Sequence, residues 1–136
     1  MEVIFSVISV LVPIVVGGVF GYFYFGGKKK SPLEAGHTPQ LEEQAGGRFD
    51  GFNLTIPFVR HAIYDDFVAI SYGKNKHILR FSEIAEASIK RHLFSKGLTY
   101  RHSNASVPTE CIIWSKNAPR VLEILSSNGV LVQSKA

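Results

Sequence analysis

Five histidines (His37, His61, His77, His92 and His102) and a single cysteine, Cys111, are the side chains of this 136-residue chain best suited to ligate a metal or act as a nucleophile. A zinc site needs ligands at short, characteristic spacings, and no H-E-x-x-H run or cysteine pair accompanies these histidines. They read as solvated or strand-surface residues. Cys111 opens the run Cys-Ile-Ile-Trp. A thiol there without a neighbouring base reads as a packed core residue rather than a nucleophile. Asp65 and Asp66 are adjacent, a spacing that suits a turn and not paired acid/base work. Gly-rich phosphate loops, nucleophile elbows and dinucleotide fingerprints are absent from the sequence. The expectation is a protein that is no enzyme, with no catalytic residue, no metal and no cofactor.

Charge is more informative. From Arg48 to Ala136 there are 12 Lys and Arg against 7 Asp and Glu. Much of the excess falls in one stretch, Lys90, Arg91, Lys96 and Arg101, with His92 and His102 beside it. Such a patch suits an anionic lipid surface or an acidic partner, or serves as a solvated face that keeps a small domain soluble. No nucleic-acid-binding motif accompanies it. A second basic cluster, Lys28, Lys29 and Lys30, follows an uncharged run of 23 residues from Val3 to Phe25.

That run is long enough to cross a bilayer as a helix, about 35 Å against about 30 Å of hydrocarbon. The chain is expected to have one transmembrane helix within residues 1–27. The three lysines after it place the C-terminal side in the cytoplasm, in an inner (plasma) membrane with the N-terminus outside. The sequons at Asn53 and Asn104 are then incidental. Pro13 predicts a modest kink. Gly17 and Gly21 form a G-x-x-x-G pair that would let another helix approach, although glycine is also common in membrane helices for no such reason.

The elements that must position these residues divide in two. Residues 28–47, rich in Gly, Pro, Ser, Gln and charge, read as a flexible polar linker, with at most a turn of helix near Leu41. Residues 48–136 read as strands: Phe52 to Arg60, Ala62 to Tyr64, Phe67 to Tyr72, Ile78 to Phe81, Ala87 to Phe94, Leu98 to His102 and Cys111 to Trp114. Pro57 argues for an edge or a break, and Cys111 to Trp114 for a central strand. One helical turn is expected near Ser82. Pro119 then opens and Gly129 closes an amphipathic helix with Val121, Leu122, Ile124 and Leu125 on one face. Val130 to Gln133 suits a last short strand.

The runs Ile63-Tyr64-Asp65-Asp66-Phe67-Val68-Ala69-Ile70, Ile78-Leu79-Arg80-Phe81-Ser82-Glu83-Ile84 and Ala118-Pro119-Arg120-Val121-Leu122-Glu123-Ile124-Leu125, with Asn128-Gly129-Val130, resemble a bacterial pleckstrin-homology-like domain of small single-pass membrane proteins. The resemblance covers about half the chain and carries no catalytic signature. It implies a mainly-β cytoplasmic domain, a partly open seven-stranded barrel with one C-terminal helix. The inositide-binding version of that fold usually has basic residues around its first hairpin, where this chain has Asp65-Asp66. The functional expectation is a membrane-anchored, non-enzymatic binding module, an accessory or adaptor subunit of a membrane protein complex. A homo-oligomer through the membrane helix is compatible with this, and no small-molecule substrate is expected. The alternative is an anionic-lipid sensor docking through the Lys90 to Arg101 hairpin.

Overall fold

The computed structural model describes residues 18–19, 30–92 and 95–134. Eight strands form one sheet in the order β4-β3-β2-β1-β7-β6-β5-β8, curled into a half-barrel. They are β1 (Leu41–Phe49), β2 (Phe52–Ile63), β3 (Phe67–Tyr72), β4 (Asn75–Arg80), β5 (Ile84–His92), β6 (Ser95–His102), β7 (Cys111–Trp114) and β8 (Val132–Ser134). All neighbours pair antiparallel except β5 with β8. An α-helix, α1 (Ala118–Ser127), lies between β7 and β8 in the chain.

The concave face makes the main core. Val59, Ile63, Leu79, Ala87, Leu98, Tyr100, Cys111 and Ile113 meet Val121, Leu122, Ile124 and Leu125 of α1 there. The helix spacing therefore does what its apolar stripe requires. At its C-terminus Gly129 takes φ +83°, and the N–H groups of Gly129 and Val130 bond back to Ser126 and Leu125. This paired closure satisfies two otherwise orphaned carbonyls.

The convex face carries a second, smaller cluster on β2 to β4: Ala62, Tyr64, Phe67 and Ala69, with Ile78 against them. It is covered by residues 31–40, which lie across it as a strap. The strap begins with a one-turn 3-10 helix, Pro32–Glu34, capped by Ser31. It ends where the Gln40 N–H donates to the Ile63 carbonyl at 2.7 Å, and His37 packs edge-on to Tyr64 and Phe67.

Two expectations need correction. The expected class was one transmembrane helix followed by a partly open seven-stranded barrel. Among the described residues no helix is long and apolar enough to cross a membrane, and the sheet has eight strands. The span expected from Val3 to Phe25 lies outside the described residues, save Gly18 and Val19, which are helical. The part of the expected linker that is described is structured: residues 31–40 form the strap, and Leu41–Phe49 is β1, an interior strand between β2 and β7. Its charges look like those of a tether because the sequence hides their partners. Glu42 and Glu43 find Arg60 and His61 on β2.

Candidate functional site

The basic residues singled out in sequence are partly assembled. Antiparallel pairing of β5 with β6 sets Arg91 opposite Lys96 and Lys90 opposite Gly97, all at one end of the hairpin and all three basic residues exposed. Alternation along β5 sends Lys90 and Arg91 to opposite faces, so that end is basic on both. Arg101 is not part of it. It sits opposite Glu86, farther along the hairpin, and reaches that carboxylate at 3.6 Å. Lys30 is exposed, while Gly17, Gly21, Lys28 and Lys29 lie outside the described residues.

His37, His61, His77 and His102 serve the fold. His61 is buried between Glu43 (Nδ1 to Oε2, 2.8 Å) and the Tyr100 hydroxyl (2.7 Å). His77 meets the Tyr72 hydroxyl at 3.0 Å; burial first, then nearby His102, holds its imidazole below the usual range. His102 lies 2.8 Å from the Pro108 carbonyl and accepts the Asn104 N–H. Among the described residues no three His, Cys, Asp or Glu converge where a metal would sit. Cys111 is buried, and burial, then Asp50, pushes its thiol up to about 12. That keeps it protonated at neutral pH.

Two buried polar networks on opposite faces of β2 were not foreseen. On the convex face the Arg60 guanidinium reaches Glu34 at 2.5 Å and Glu42 at 3.1 Å, and the Tyr64 hydroxyl donates to Glu34 at 2.7 Å. The Arg60 and Glu34 side chains are both only 1% exposed. Burial alone would raise the Glu34 carboxyl. Hydrogen bonds from Arg60, the Ser31 N–H and Tyr64 outweigh it and hold Glu34 below its ordinary value. Burial would likewise lower the Arg60 guanidinium, but its bonds to Glu42, Glu34 and Tyr64 raise it. On the concave face Glu43 accepts from His61, Ser115 Oγ (2.6 Å) and Asn117 Nδ2 (3.4 Å). Burial raises Glu43, and these bonds, His61 foremost, bring it below the ordinary range. The signal lay in the adjacency of Arg60-His61 and of Glu42-Glu43, which puts one member of each pair on each face of its strand.

Both depressed carboxyls give a stability term that is complete above the unfolded value near 4.5 and lost as pH falls through the lower folded value. Urea midpoints are expected to stay level from neutral pH to about 5 and to fall below 4.5. The Glu34→Gln variant, less stable at neutral pH, should show a shallower fall; an unchanged acid slope would remove Glu34 from this account.

No family model matches the chain, and neither does any curated protein. Function must therefore be drawn from its surfaces.

An open groove of about 480 Å³ is lined by Asn53, Leu54, Thr55, Ile56 and Trp114. It owes its shape to glycine and to an irregularity. Pairing of β1 with β2 jumps from Ala45↔Val59 to Gly47↔Leu54, so residues 55–58 bow out opposite Gly46. A Cβ at Gly46 would stand 2.6 Å from the Leu54 carbonyl oxygen and 3.0 Å from the Trp114 ring. One at Gly97 would stand 2.7 Å from the same indole. Trp114 thus lies across β1 and β6 on a floor only glycine permits. Ile56, 46% exposed, stands beside it. Pairing of β2 with β3 is confined to Arg60 through Ile63, so β3 does not extend alongside residues 53–56.

Proposed function

We propose that the chain is a non-enzymatic binding module, an accessory or adaptor subunit that holds an extended peptide of a partner protein. The observation that carries this reading is the groove at Ile56 and Trp114 beside a stretch of β2 that β3 does not cover. An extended peptide laid there would find main-chain groups for pairing and an apolar slot for alternate side chains. The buried position of Cys111 and the structural roles of His61, His77 and His102 are consistent with binding rather than catalysis. The location is proposed from composition: the uncharged run 3–25 followed by three lysines favours the cytoplasmic face of the inner membrane. Kinship with the pleckstrin-homology-like group is likewise a proposal, resting on the sequence runs alone.

A second reading, docking on anionic lipid, is favoured by the exposed end of the β5–β6 hairpin, where Lys90, Arg91 and Lys96 gather. Attraction of this kind is worth about 1 kcal/mol per cation near the surface and weakens with salt. One experiment separates the two. Purification of the full chain in mild detergent should recover a constant set of co-eluting proteins, retained by Lys90→Glu/Arg91→Glu and lost on Ile56→Asp. Recovery of the chain alone, or loss through the charge reversal and not through Ile56→Asp, would overturn the peptide reading.

A further inference from the structure

A second cavity, of about 360 Å³, opens between β4, the start of the strap and the β6–β7 loop. Its lining includes Lys76, Ile78 and Arg80, alternate residues of β4 that project to one side of the strand. Ser31 and Leu33 of the strap form a second wall, and the β6–β7 loop a third with Asn104, Ser106 and Val107. The loop is tied down: Asn104 Nδ2 donates to the Ile78 carbonyl at 3.2 Å and the Ser103 N–H to the Glu83 carbonyl at 3.0 Å. The strap is tied down by Glu34 on Arg60. The cavity is therefore built from fixed walls, and its volume lies within the roughly 300–1,000 Å³ usual for small-ligand sites.

Its polar groups are not spent equally. Asn104 Oδ1 accepts from the Ser106 N–H and Oγ, and His77 is engaged by the Tyr72 hydroxyl and the Ser106 backbone. The one carboxylate in the lining, Glu83, accepts the Arg80 main-chain N–H at 2.9 Å. The Arg80 guanidinium makes no ion pair among the described residues, nor does Lys30, which precedes the strap. The Ser31 hydroxyl accepts from the Leu33 N–H and keeps its own proton to donate. Guanidinium and hydroxyl donors thus border Leu33, Ile78 and Val107, which are apolar.

We propose that this cavity is an oxyanion site that takes a phosphate group, borne either by a small soluble molecule or by a phospholipid headgroup. Arg80 supplies a planar fork matched to two phosphate oxygens and Ser31 a hydroxyl donor. Leu33, Ile78 and Val107 receive the non-polar part adjoining the phosphate. The site is independent of the groove at Trp114.

The test titrates the full chain, held in neutral detergent micelles, with inorganic phosphate, pyrophosphate and a short-chain phosphatidic acid, with phosphatidylcholine as the neutral control. Calorimetry should give saturable binding to at least one anion, weakened about tenfold or more in Arg80→Gln and unchanged in Lys90→Gln/Arg91→Gln. Both variants should melt as the wild type does without ligand. Response to phosphate or pyrophosphate assigns a soluble ligand, and response to phosphatidic acid alone a headgroup. Absence of saturable binding to all three anions, or equal weakening in the two variants, overturns the proposal.

Discussion

Replacing Arg60 by methionine while Glu34 is left in place is expected to destabilise the domain by about 3–5 kcal/mol, because the substitution strands a buried carboxylate without its cation. Glu34 lies wholly within the strap's contact with β2, its side chain 1% exposed, and cannot regain water without lifting the strap. Glu42, whose side chain is 40% exposed, can be resolvated in place and should add little to the loss. The double variant Arg60→Met/Glu34→Leu should recover most of the stability, since apolar side chains of similar length can fill a space already bordered by Tyr64 and Ala62. Chemical denaturation of the four species in a double-mutant cycle measures the coupling directly. Equal losses in the single and double variants would show that the pair contributes packing and not charge. For a domain whose total stability is about 5–15 kcal/mol, a loss of this size separates a folded preparation from a largely unfolded one.

The second large effect concerns where the domain starts. A chain truncated to residues 48–136, the boundary that composition suggests, is expected not to fold, whereas residues 30–136 fold cooperatively. The shorter chain lacks the strap and all but the last two residues of β1. Removing β1 takes the central partner from both β2 and β7. It also leaves Arg60 without Glu34 and Glu42, and His61 without Glu43, so two polar groups on β2 lose their buried partners. Tyr64 and Phe67, stacked at 4.5 Å under the strap, would meet water. Far-ultraviolet circular dichroism and a denaturation curve on both fragments decide the matter. A cooperative transition in 48–136 of the same midpoint would mean that β1 contributes nothing.

These two expectations mark what was legible in the sequence and what was not. Phe67–Tyr72 and Cys111–Trp114 are strands at the bounds their β-branched and aromatic content suggests, and α1 runs between the proline and glycine that bracket its apolar stripe. The turn near Ser82 is a 3-10 turn, Phe81–Glu83. Phe52 to Arg60 and Ala62 to Tyr64, separated in that reading by His61 alone, are largely one strand, Phe52–Ile63. The irregularity that Pro57 announces appears as the outward bow opposite Gly46. β1 was missed because Leu-Glu-Glu-Gln-Ala-Gly-Gly-Arg-Phe carries almost no apolar alternation. Its reason for being a strand is long-range, in Arg60 and His61, eighteen residues away on β2.

The candidate sites follow the same division. The three basic residues at the end of the β5–β6 hairpin were visible as a local charge run, whereas Arg101 was counted with them although its strand carries it back beside Glu86. The groove at Trp114 and the cavity at Arg80 each draw residues from at least two distant segments, and no local pattern announces either.

The neighbouring placement of Arg60 and His61 has a consequence for how the chain avoids pairing its strands wrongly. β1, with charged residues at one end and two glycines at its middle, gives little apolar pattern by which β2 could choose its alignment, and strands of that kind are prone to slip. The charges supply what the pattern lacks. With Glu43 opposite His61, Glu42 reaches Arg60 diagonally on the other face. A slip of β2 by one position would turn Arg60 into the interior beside Tyr100 and His61 out toward Glu34, leaving each acid facing the wrong side chain. The four side chains therefore work as a proofreading key, admitting one alignment of β1 on β2 and penalising its nearest competitors.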